Sequence, residues 1–187
     1  MELRILKEAG VHEALVGMAF SYETEHPQGD ECSKVYDTQT LYNRAKTLAH
    51  KDGGHNKFLE SIVVWMTIRA PLYWWKQFDT YRVGVTKQSK STMHTLMKRP
   101  LNESDFAGTL IPGVLETLNM AIADKNFNFV NDNLPNSFMQ TRMVCTNYKT
   151  IRNICQQRAG HKLGEWSEFI NYMYFDLNNP ELIFKEN

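Results

Sequence analysis

The sequence contains few of the features that mark secreted, metal-binding or strongly charged proteins. Its three cysteines, Cys32, Cys145 and Cys155, are odd in number and widely scattered, which argues against a disulfide framework and favours a reducing compartment. No Cys-x-x-Cys or paired His/Cys spacing indicates a metal site. Because 21 basic residues are balanced by 21 acidic residues, no overall field would attract nucleic acid or an anionic membrane.

Long apolar segments are also absent from the sequence. The opening Met1-Glu2-Leu3-Arg4 lacks an apolar run, and no later stretch approaches the roughly 20 apolar residues of a membrane span. We therefore expect a soluble, cytoplasmic protein. The 187 residues suffice for one domain with a substantial core, and no linker or repeat requires a second, so we predict a single domain over residues 1–187.

The clearest strand signal lies in residues 62–69. Four aliphatic residues alternate with other types and so share one face: Ile62, Val64, Met66 and Ile68. Pro71 follows and suits the first turn of a helix, because its missing N–H is no loss there. That helix mixes large aromatic residues with Lys76 and Gln77, polar groups that could hold an anion, so we expect a ligand site nearby.

Helical periodicity dominates the rest of the chain. We predict a short strand and a helix within residues 1–20, and helices over residues 38–50, from Gly113 to Lys125 beyond Pro112, after Asn147 and after Gly160. Residues 138–145 form a short apolar segment, and polar composition predicts loops over residues 22–34 and 86–92.

Two separate blocks of residues have a distinctive order and spacing. The first contains Gly54-His55, Glu60, Ala70-Pro71, Lys76-Gln77-Phe78 and Arg82, and the second contains Leu134-Pro135, Asn147, Lys149, Asn153, Arg158 and Glu165-Trp166. In order and spacing these blocks resemble the flavin-dependent thymidylate synthases, the ThyX family. The resemblance spans residues 54–166, more than half of the chain.

The sequence departs from that family at its signature, an Arg-His-Arg followed by Ser, Asn, Ser and Arg. Thr80 and Tyr81 stand in the places of the first Arg and the His, and only Arg82 matches. Further on, Val85, Lys87 and Thr92 replace Ser, Asn and Arg, while Ser89 and Ser91 lie one position from the second signature serine. The chain therefore resembles a divergent member of the family.

The resemblance implies a fold and a reaction. It implies an α+β fold, mostly helical with a small antiparallel sheet, in a homotetramer whose site is assembled between subunits. The reaction would be reductive methylation of dUMP to dTMP, with FAD reduced by NADPH and with methylenetetrahydrofolate as the carbon donor. The protein would mainly position and polarise the reactants.

Matching positions also imply roles for individual residues. The cofactor-binding set would be His55, Arg82, Asn147, Lys149 and Asn153. The substrate-binding set would be Gln77, Gln88, Ser89, Ser91 and Arg158. Two of these would be catalytic: Arg158 would hold and polarise the uracil ring, because a guanidinium offers a rigid pair of donors, and Gln88 stands where the family has a Glu beside dUMP.

Several losses leave other functions open. Thr92 and Asn131 stand where the family has arginines that clamp the substrate phosphate, and each lost charge-assisted bond costs about 1.5–3 kcal/mol. Lys87, Lys90, Lys98 or the shifted serines could compensate for this loss. One alternative is a nucleotide-binding or assembly protein without flavin. Another is an enzyme that modifies a different pyrimidine, or one within DNA, although the balanced charge disfavours DNA.

Each candidate residue also has a purely structural interpretation. His55 could be an ordinary loop histidine, and Asn147 could cap a helix as well as contact a flavin. Arg158 could serve the helix dipole or a surface ion pair. The helical spacing of the aromatic residues indicates core or subunit contacts rather than a stacking platform: Trp74, Trp75 and Phe78.

Overall fold

The computed structural model of the chain describes residues 1–22 and 38–185. Cys32 and the predicted loop over residues 22–34, apart from Tyr22, lie outside these ranges. The other two cysteines, Cys145 and Cys155, are free thiols. In the described part of the chain, no helix is long and apolar enough to cross a membrane.

A four-stranded antiparallel sheet forms the centre of the fold. Its strands are β1 (Glu2–Ala9), β2 (Val63–Pro71), β3 (Thr86–Ser89) and β4 (Met139–Asn147), in the order β1-β2-β4-β3. Strands β2 and β4 pair along their whole length, from Val63 opposite Asn147 to Pro71 opposite Met139. The predicted alternation is confirmed, since Val64, Met66 and Ile68 of β2 and Ile62 just before it are completely buried.

Eight α-helices surround the sheet in the described residues. They are α1 (Val11–Ala19), α2 (Thr38–Ala49), α3 (Leu72–Phe78), α4 (Thr92–Thr95), α5 (Val114–Ala123), α6 (Phe127–Asn133), α7 (Tyr148–Arg158) and α8 (Gly164–Asp176). Short 3₁₀ turns cover Phe20–Tyr22, Lys57–Ser61, Glu103–Asp105 and Pro180–Leu182. This arrangement confirms the predicted α+β fold with a small antiparallel sheet, in which helix exceeds strand.

The larger of two apolar clusters packs helices α1, α2, α3, α7 and α8 on the sheet. Its centre is aromatic: Trp74 stacks on Phe78 with ring centroids 5.0 Å apart and lies 4.7 Å from Trp166. Trp74, Trp75 and Phe78 of α3 are fully buried, which confirms the expectation of core contacts. The second cluster joins α5 and α6 to the segment after α4 and includes Leu96, Leu118 and Val130.

The predicted loop over residues 86–92 is wrong. Its first four residues form β3, whose backbone pairs with β4 from Thr86 opposite Cys145 to Ser89 opposite Arg142. The side chains of this edge strand are mostly exposed, so its sequence lacks the apolar alternation by which strands are recognised. The remaining residues start α4, where the Ser91 hydroxyl accepts a hydrogen bond from the His94 backbone N–H at 3.3 Å.

In the middle of the chain the structure refines two predictions and adds one helix. Helix α5 begins directly after Gly113, as expected beyond a proline, and ends at Ala123. The Asn-rich segment that follows contains α6, which the sequence pattern did not reveal; the Asn126 side chain caps it, and Val130 anchors it in the second cluster. The predicted apolar segment over residues 138–145 is strand β4.

Candidate functional site

A cleft of about 450 Å³ lies between the segment after α3 and the first two turns of α7. Four of the five predicted cofactor-binding residues line it: Arg82, Asn147, Lys149 and Asn153. They come from two stretches that are far apart in the sequence. The side chains provide amide and cationic donors, the groups that bind phosphate and carbonyl oxygens. We call this space the Asn147 cleft.

The strand-to-helix junction explains how α7 presents these residues. Asn147 ends β4 in an extended conformation, and its Oδ1 accepts a hydrogen bond from the Thr150 backbone N–H at 2.9 Å, so the predicted cap is confirmed. Lys149 and Asn153 are four residues apart and therefore lie on the same face of the helix. The start of α7 thus directs three polar side chains toward one cleft.

Gly84 lets the segment after α3, which forms the other wall of the cleft, pack closely against α7. Its φ of +69° lies in the left-handed region, and a Cβ there would come within 2.7 Å of Thr150 Oγ1 and 2.8 Å of Asn147 Nδ2. The Thr150 hydroxyl also donates to the Val83 carbonyl at 3.3 Å. A residue with a side chain would push this wall, and Arg82 with it, away from the helix.

His55, the fifth predicted cofactor residue, lines a separate cavity of about 750 Å³ between α1 and the Gly53–Ser61 segment. Glu60 lines both this cavity and the Asn147 cleft. At that shared wall, Lys149 Nζ lies 2.6 Å from Glu60 Oε1. The two spaces are therefore neighbours joined by an ion pair, and His55 itself is exposed.

The predicted substrate residues Gln77 and Arg158 lie together next to the aromatic core. Arg158 Nε donates to Tyr81 Oη at 2.8 Å, and the guanidinium lies 4.6 Å from the centroid of the Trp166 ring. Gln77 Oε1 accepts from Trp166 Nε1 at 2.8 Å and from Arg158 Nη1 at 3.4 Å. Within the described residues no carboxylate pairs with Arg158, so the surface ion-pair interpretation does not hold.

The other three predicted substrate residues lie elsewhere on the surface. Gln88 and Ser89 are exposed on β3, and Ser91 caps α4. Among the described residues, no hydrogen bond links any of them to Gln77 or Arg158. The chain alone therefore brings two of the five predicted substrate residues into contact.

An ion cluster fastens β3 to α3. The Asp79 carboxylate binds Lys87 Nζ at 2.8 Å and Arg142 Nη1 at 2.9 Å, and the Arg142 guanidinium lies 4.4 Å from the centroid of the Trp75 ring. Burial raises the pKa of Asp79, but the hydrogen bonds from the two cations outweigh it and lower that pKa below its usual value. Lys87, a predicted candidate for anion binding, is thus already paired.

Comparison with known proteins adds structural relatives. No protein-family model matches the sequence, and no curated protein matches it. ThyX from Helicobacter pylori, in a crystal structure with FAD and dUMP, superposes with a TM-score of 0.78 at 15% identity, covering 98% of each chain. A second structure of that enzyme with FAD and dUMP gives a TM-score of 0.79 at 15% identity, over 99% of this chain and 98% of the other. This chain has the ThyX fold.

A second kind of enzyme is also similar in structure. PolB from Streptomyces cacaoi, a UMP/dUMP methylase bound with 5-Br dUMP, superposes with a TM-score of 0.59 at 12% identity, over 82% of this chain and 76% of PolB. The ThyX-like architecture expected from the two sequence blocks is therefore confirmed over almost the whole chain.

Sequence reasoning missed several residues that shape this site within the ThyX fold. In the sequence Tyr81 stands only as the replacement of a signature histidine, whereas in the structure its hydroxyl accepts a hydrogen bond from Arg158. The ring of Trp166 and the carboxylate of Asp79 were not assigned a role. Neither has a local sequence pattern that reveals it, because their partners lie far away in the chain. Among the residues described by the structure, no group of three acidic, His or Cys side chains could hold a metal ion.

Proposed function

We propose that the chain is a flavin-dependent enzyme that methylates dUMP or a closely related pyrimidine nucleotide. The observation that carries this proposal is the Asn147 cleft, in which four residues expected to contact a flavin converge from two separate stretches of the chain. The ThyX fold supports it, because two solved structures with that fold contain both FAD and dUMP.

The residues of the Asn147 cleft fit a flavin by their chemistry. Arg82 would contribute positive charge for phosphate oxygens, and Lys149, which is paired with Glu60, would add its remaining N–H donors. The amides of Asn147 and Asn153 would contribute hydrogen bonds to ring or ribityl groups. His55 would contact another part of the same cofactor from the neighbouring cavity. Bound FAD would supply hydride chemistry, with NADPH and methylenetetrahydrofolate as the further reactants implied by the resemblance.

Arg158 would serve the pyrimidine. Its Nε is occupied by Tyr81 and one N–H of Nη1 by Gln77, so the remaining N–H groups of the guanidinium would offer donors to a carbonyl oxygen. Stacking on Trp166 and the bond to Gln77 restrict the orientation of that edge. A fixed positive charge beside the carbonyl would stabilise the negative charge that develops when the ring is attacked. Gln88 would approach the same ring from β3.

We infer further that the functional unit is a homo-oligomer, a tetramer by resemblance. Val83 forms part of the Asn147 cleft and is 89% exposed, which leaves a large apolar side chain at the edge of the site in the isolated chain. A neighbouring subunit would cover it and could bring Gln88 and Ser89 toward Arg158. Sedimentation equilibrium would test this, and a monomer at micromolar concentration would contradict it.

The lost phosphate clamp favours a second candidate, an enzyme of the same kind that acts on a different pyrimidine nucleotide. Thr92 and Asn131 cannot supply the charge-assisted bonds expected of two arginines. PolB, which shares the architecture, acts on UMP as well as dUMP. Binding assays with dUMP, UMP and single-stranded DNA would distinguish these substrates.

The visible absorption spectrum of the purified protein, before and after adding FAD, tests the function. We expect a bound-flavin spectrum that is retained through gel filtration and perturbed by dUMP. A colourless protein that does not bind FAD would leave the fold unchanged and overturn the enzyme proposal in favour of a flavin-free nucleotide-binding protein. Loss of the flavin from an Asn153→Ala variant would place the cofactor in the Asn147 cleft.

A further inference from the structure

We propose that Arg152 is a positioning residue for the cofactor, because its buried guanidinium holds the segment that carries His55 on helix α7. This segment, residues 52–60, is here called the His55 segment. Arg152 lies on α7 between Lys149 and Asn153, two residues that line the Asn147 cleft. The holding of the segment does not depend on the proposed function, whereas its consequence for a flavin rests on that function.

The environment of Arg152 is unusual for a cation. Its side chain is 8% exposed, and its buried Nε has no hydrogen-bond partner within the described residues. Among those residues its one charged partner is Asp52, whose Oδ1 lies 3.9 Å from Nη1. A buried charge that is incompletely paired opposes folding, because it has lost its hydration. A group retained despite this penalty calls for an explanation other than stability.

Two ion pairs connect the His55 segment with α7, one near each end of the segment. Lys149 Nζ lies 2.6 Å from Glu60 Oε1, and Arg152, three residues further along the helix, is paired with Asp52. Residues three apart lie on the same side of a helix, so both cations of α7 face the segment. His55 lies between the two attachment points. Both pairs therefore act on its position relative to α7.

The turn that begins at Asp52 depends on this attachment, because its glycines stand away from the rest of the chain. Gly53 and Gly54 have φ of +72° and +89°, and a Cβ added to either would meet no atom within 4 Å. The next buried residue is Asn56, whose Nδ2 donates to the carbonyl of the last residue of α2 at 3.4 Å. For the turn before Asn56, the pair with Arg152 is the one polar contact to α7 among the described residues.

Arg152 should consequently affect global stability and the His55 segment in opposite directions. Replacing it by Met keeps an unbranched side chain and removes a buried charge. The Asp52 carboxylate that remains is 93% exposed, so no buried ion is left without a partner, and global stability should be unchanged or higher. The turn at Asp52 should open more often, because its ion pair is lost. A residue that only supports packing would weaken both.

Amide hydrogen exchange of the ligand-free protein, followed by NMR, tests the holding of the segment. The reporters are the N–H groups of Lys57 and Leu59, which donate to the carbonyls of Gly54 and Asn56 at 3.2 and 3.1 Å. Arg152→Met should exchange these amides roughly threefold faster, the size expected for a partly exposed ion pair, while the midpoint of urea denaturation stays equal or rises. Unchanged exchange, or faster exchange in every helix with a lower midpoint, would overturn the proposal.

Asp52→Asn removes the other end of the pair. It should accelerate the same two amides, and combining it with Arg152→Met should add nothing further, because both changes break one interaction. Arg152→Lys keeps the charge and should exchange at a rate closer to the wild type than Arg152→Met does. Asp132→Asn, the same change at an exposed position of α6, is the matched control and should leave both amides unaffected. Additive effects of the two single variants would overturn the pairing.

The affinity for FAD measures the consequence for the cofactor. Arg152→Met and Asp52→Asn should each raise the Kd of FAD by roughly threefold, since a segment that is no longer held must be ordered when the cofactor binds. Equal Kd values in the wild type and both variants would overturn the positioning role. A wild type that binds no FAD would contradict the proposed function instead, and the exchange of Lys57 and Leu59 would then decide alone whether Arg152 holds the segment.

Discussion

Arg158 donates a hydrogen bond from Nε to Tyr81 Oη at 2.8 Å, across 77 residues of sequence, while its guanidinium lies 4.6 Å from the centroid of the Trp166 ring. These contacts and the weaker bond from Nη1 to Gln77 at 3.4 Å restrict the orientation of the guanidinium. Tyr81 replaces the positively chargeable histidine of the ThyX signature with a neutral hydroxyl. In the proposed function Tyr81 would therefore act as a positioning residue, and Arg158 would supply the positive charge next to the pyrimidine.

Replacing Tyr81 by Phe removes this bond while keeping the aromatic ring. We expect affinity for dUMP to fall by roughly tenfold, because a hydrogen bond to a charged group contributes about 1.5–3 kcal/mol and its partial exposure places the effect at the lower end. Isothermal titration measures the change. Tyr174→Phe, on the exposed face of α8, is the matched control. Equal affinities of Tyr81→Phe and the wild type would show that Tyr81 does not position Arg158.

Truncation of Arg158 is expected to lower the affinity for dUMP more than Tyr81→Phe does. Arg158→Ala should abolish pyrimidine nucleotide binding without unfolding the protein, because the side chain is only partly buried and contributes no ion pair in the described structure. Arg158→Lys should bind dUMP little better than Arg158→Ala, since an ammonium group lacks the planar pair of donors. Equilibrium binding of dUMP to each variant checks this. Unchanged affinity of Arg158→Ala would refute the role assigned to the guanidinium.

Sequence periodicity was sufficient for the elements that bury one face. Strand β2 and helix α2 were predicted because their apolar residues repeat at every second position or at helical spacing. Strand β3 was not, because an exposed edge strand is specified by backbone pairing with β4 rather than by its side chains. Helix α6 was not predicted for a related reason, since its only fully buried residue is Val130.

The candidate site was predicted residue by residue but not as an arrangement. The two sequence blocks indicated which residues would face a flavin, and four of them do line one cleft. Tertiary packing separates His55 from that cleft. It also brings Tyr81 into hydrogen-bonding distance of Arg158.

Loss of flavin contacts should lower flavin content. The double variant His55→Ala/Asn153→Ala would remove one proposed flavin contact from each of the two neighbouring spaces, so we expect flavin occupancy after gel filtration to fall to a minor fraction of the wild-type value. The ratio of visible to ultraviolet absorbance measures it. The control is His94→Ala/Asn131→Ala, which changes the same residue types at exposed positions outside both spaces. Full retention by the first variant would place the cofactor elsewhere.

Gly84→Ala should couple stability to flavin binding. The added Cβ meets Thr150 Oγ1 and Asn147 Nδ2 within 3 Å, and the left-handed backbone adds strain, so we expect a loss of about 1–3 kcal/mol in the free energy of unfolding together with weaker flavin retention. Urea denaturation measures the first effect. Gly164→Ala is the control, because a Cβ there meets no atom within 4 Å. Equal stability of the two variants would contradict the proposed packing of this wall.

The raised pKa of Tyr73 predicts how stability changes at alkaline pH. Its hydroxyl donates to the Glu165 carboxylate, and burial, followed by this hydrogen bond, raises the pKa of Tyr73 from 10.0 to about 12. Since the folded state retains the proton more tightly, the resulting stabilisation is fully present below pH 10 and is lost as the pH rises toward 12. Tyr73→Phe lacks this ionisation, so its stability relative to the wild type should rise over that interval.

Urea denaturation of both proteins at about pH 8, 9, 10 and 11 measures the difference in unfolding free energy. These pH values span the onset of tyrosine ionisation. Burial also raises the pKa of Tyr148, which donates to Glu8, but that residue is the same in both proteins and its effect cancels in the difference. The difference should be constant at the two lower pH values and shift in favour of the variant above pH 10. A difference independent of pH would mean that Tyr73 ionises equally in the folded and unfolded chains, and the Tyr73–Glu165 bond would then have no role in fixing α8 against α3.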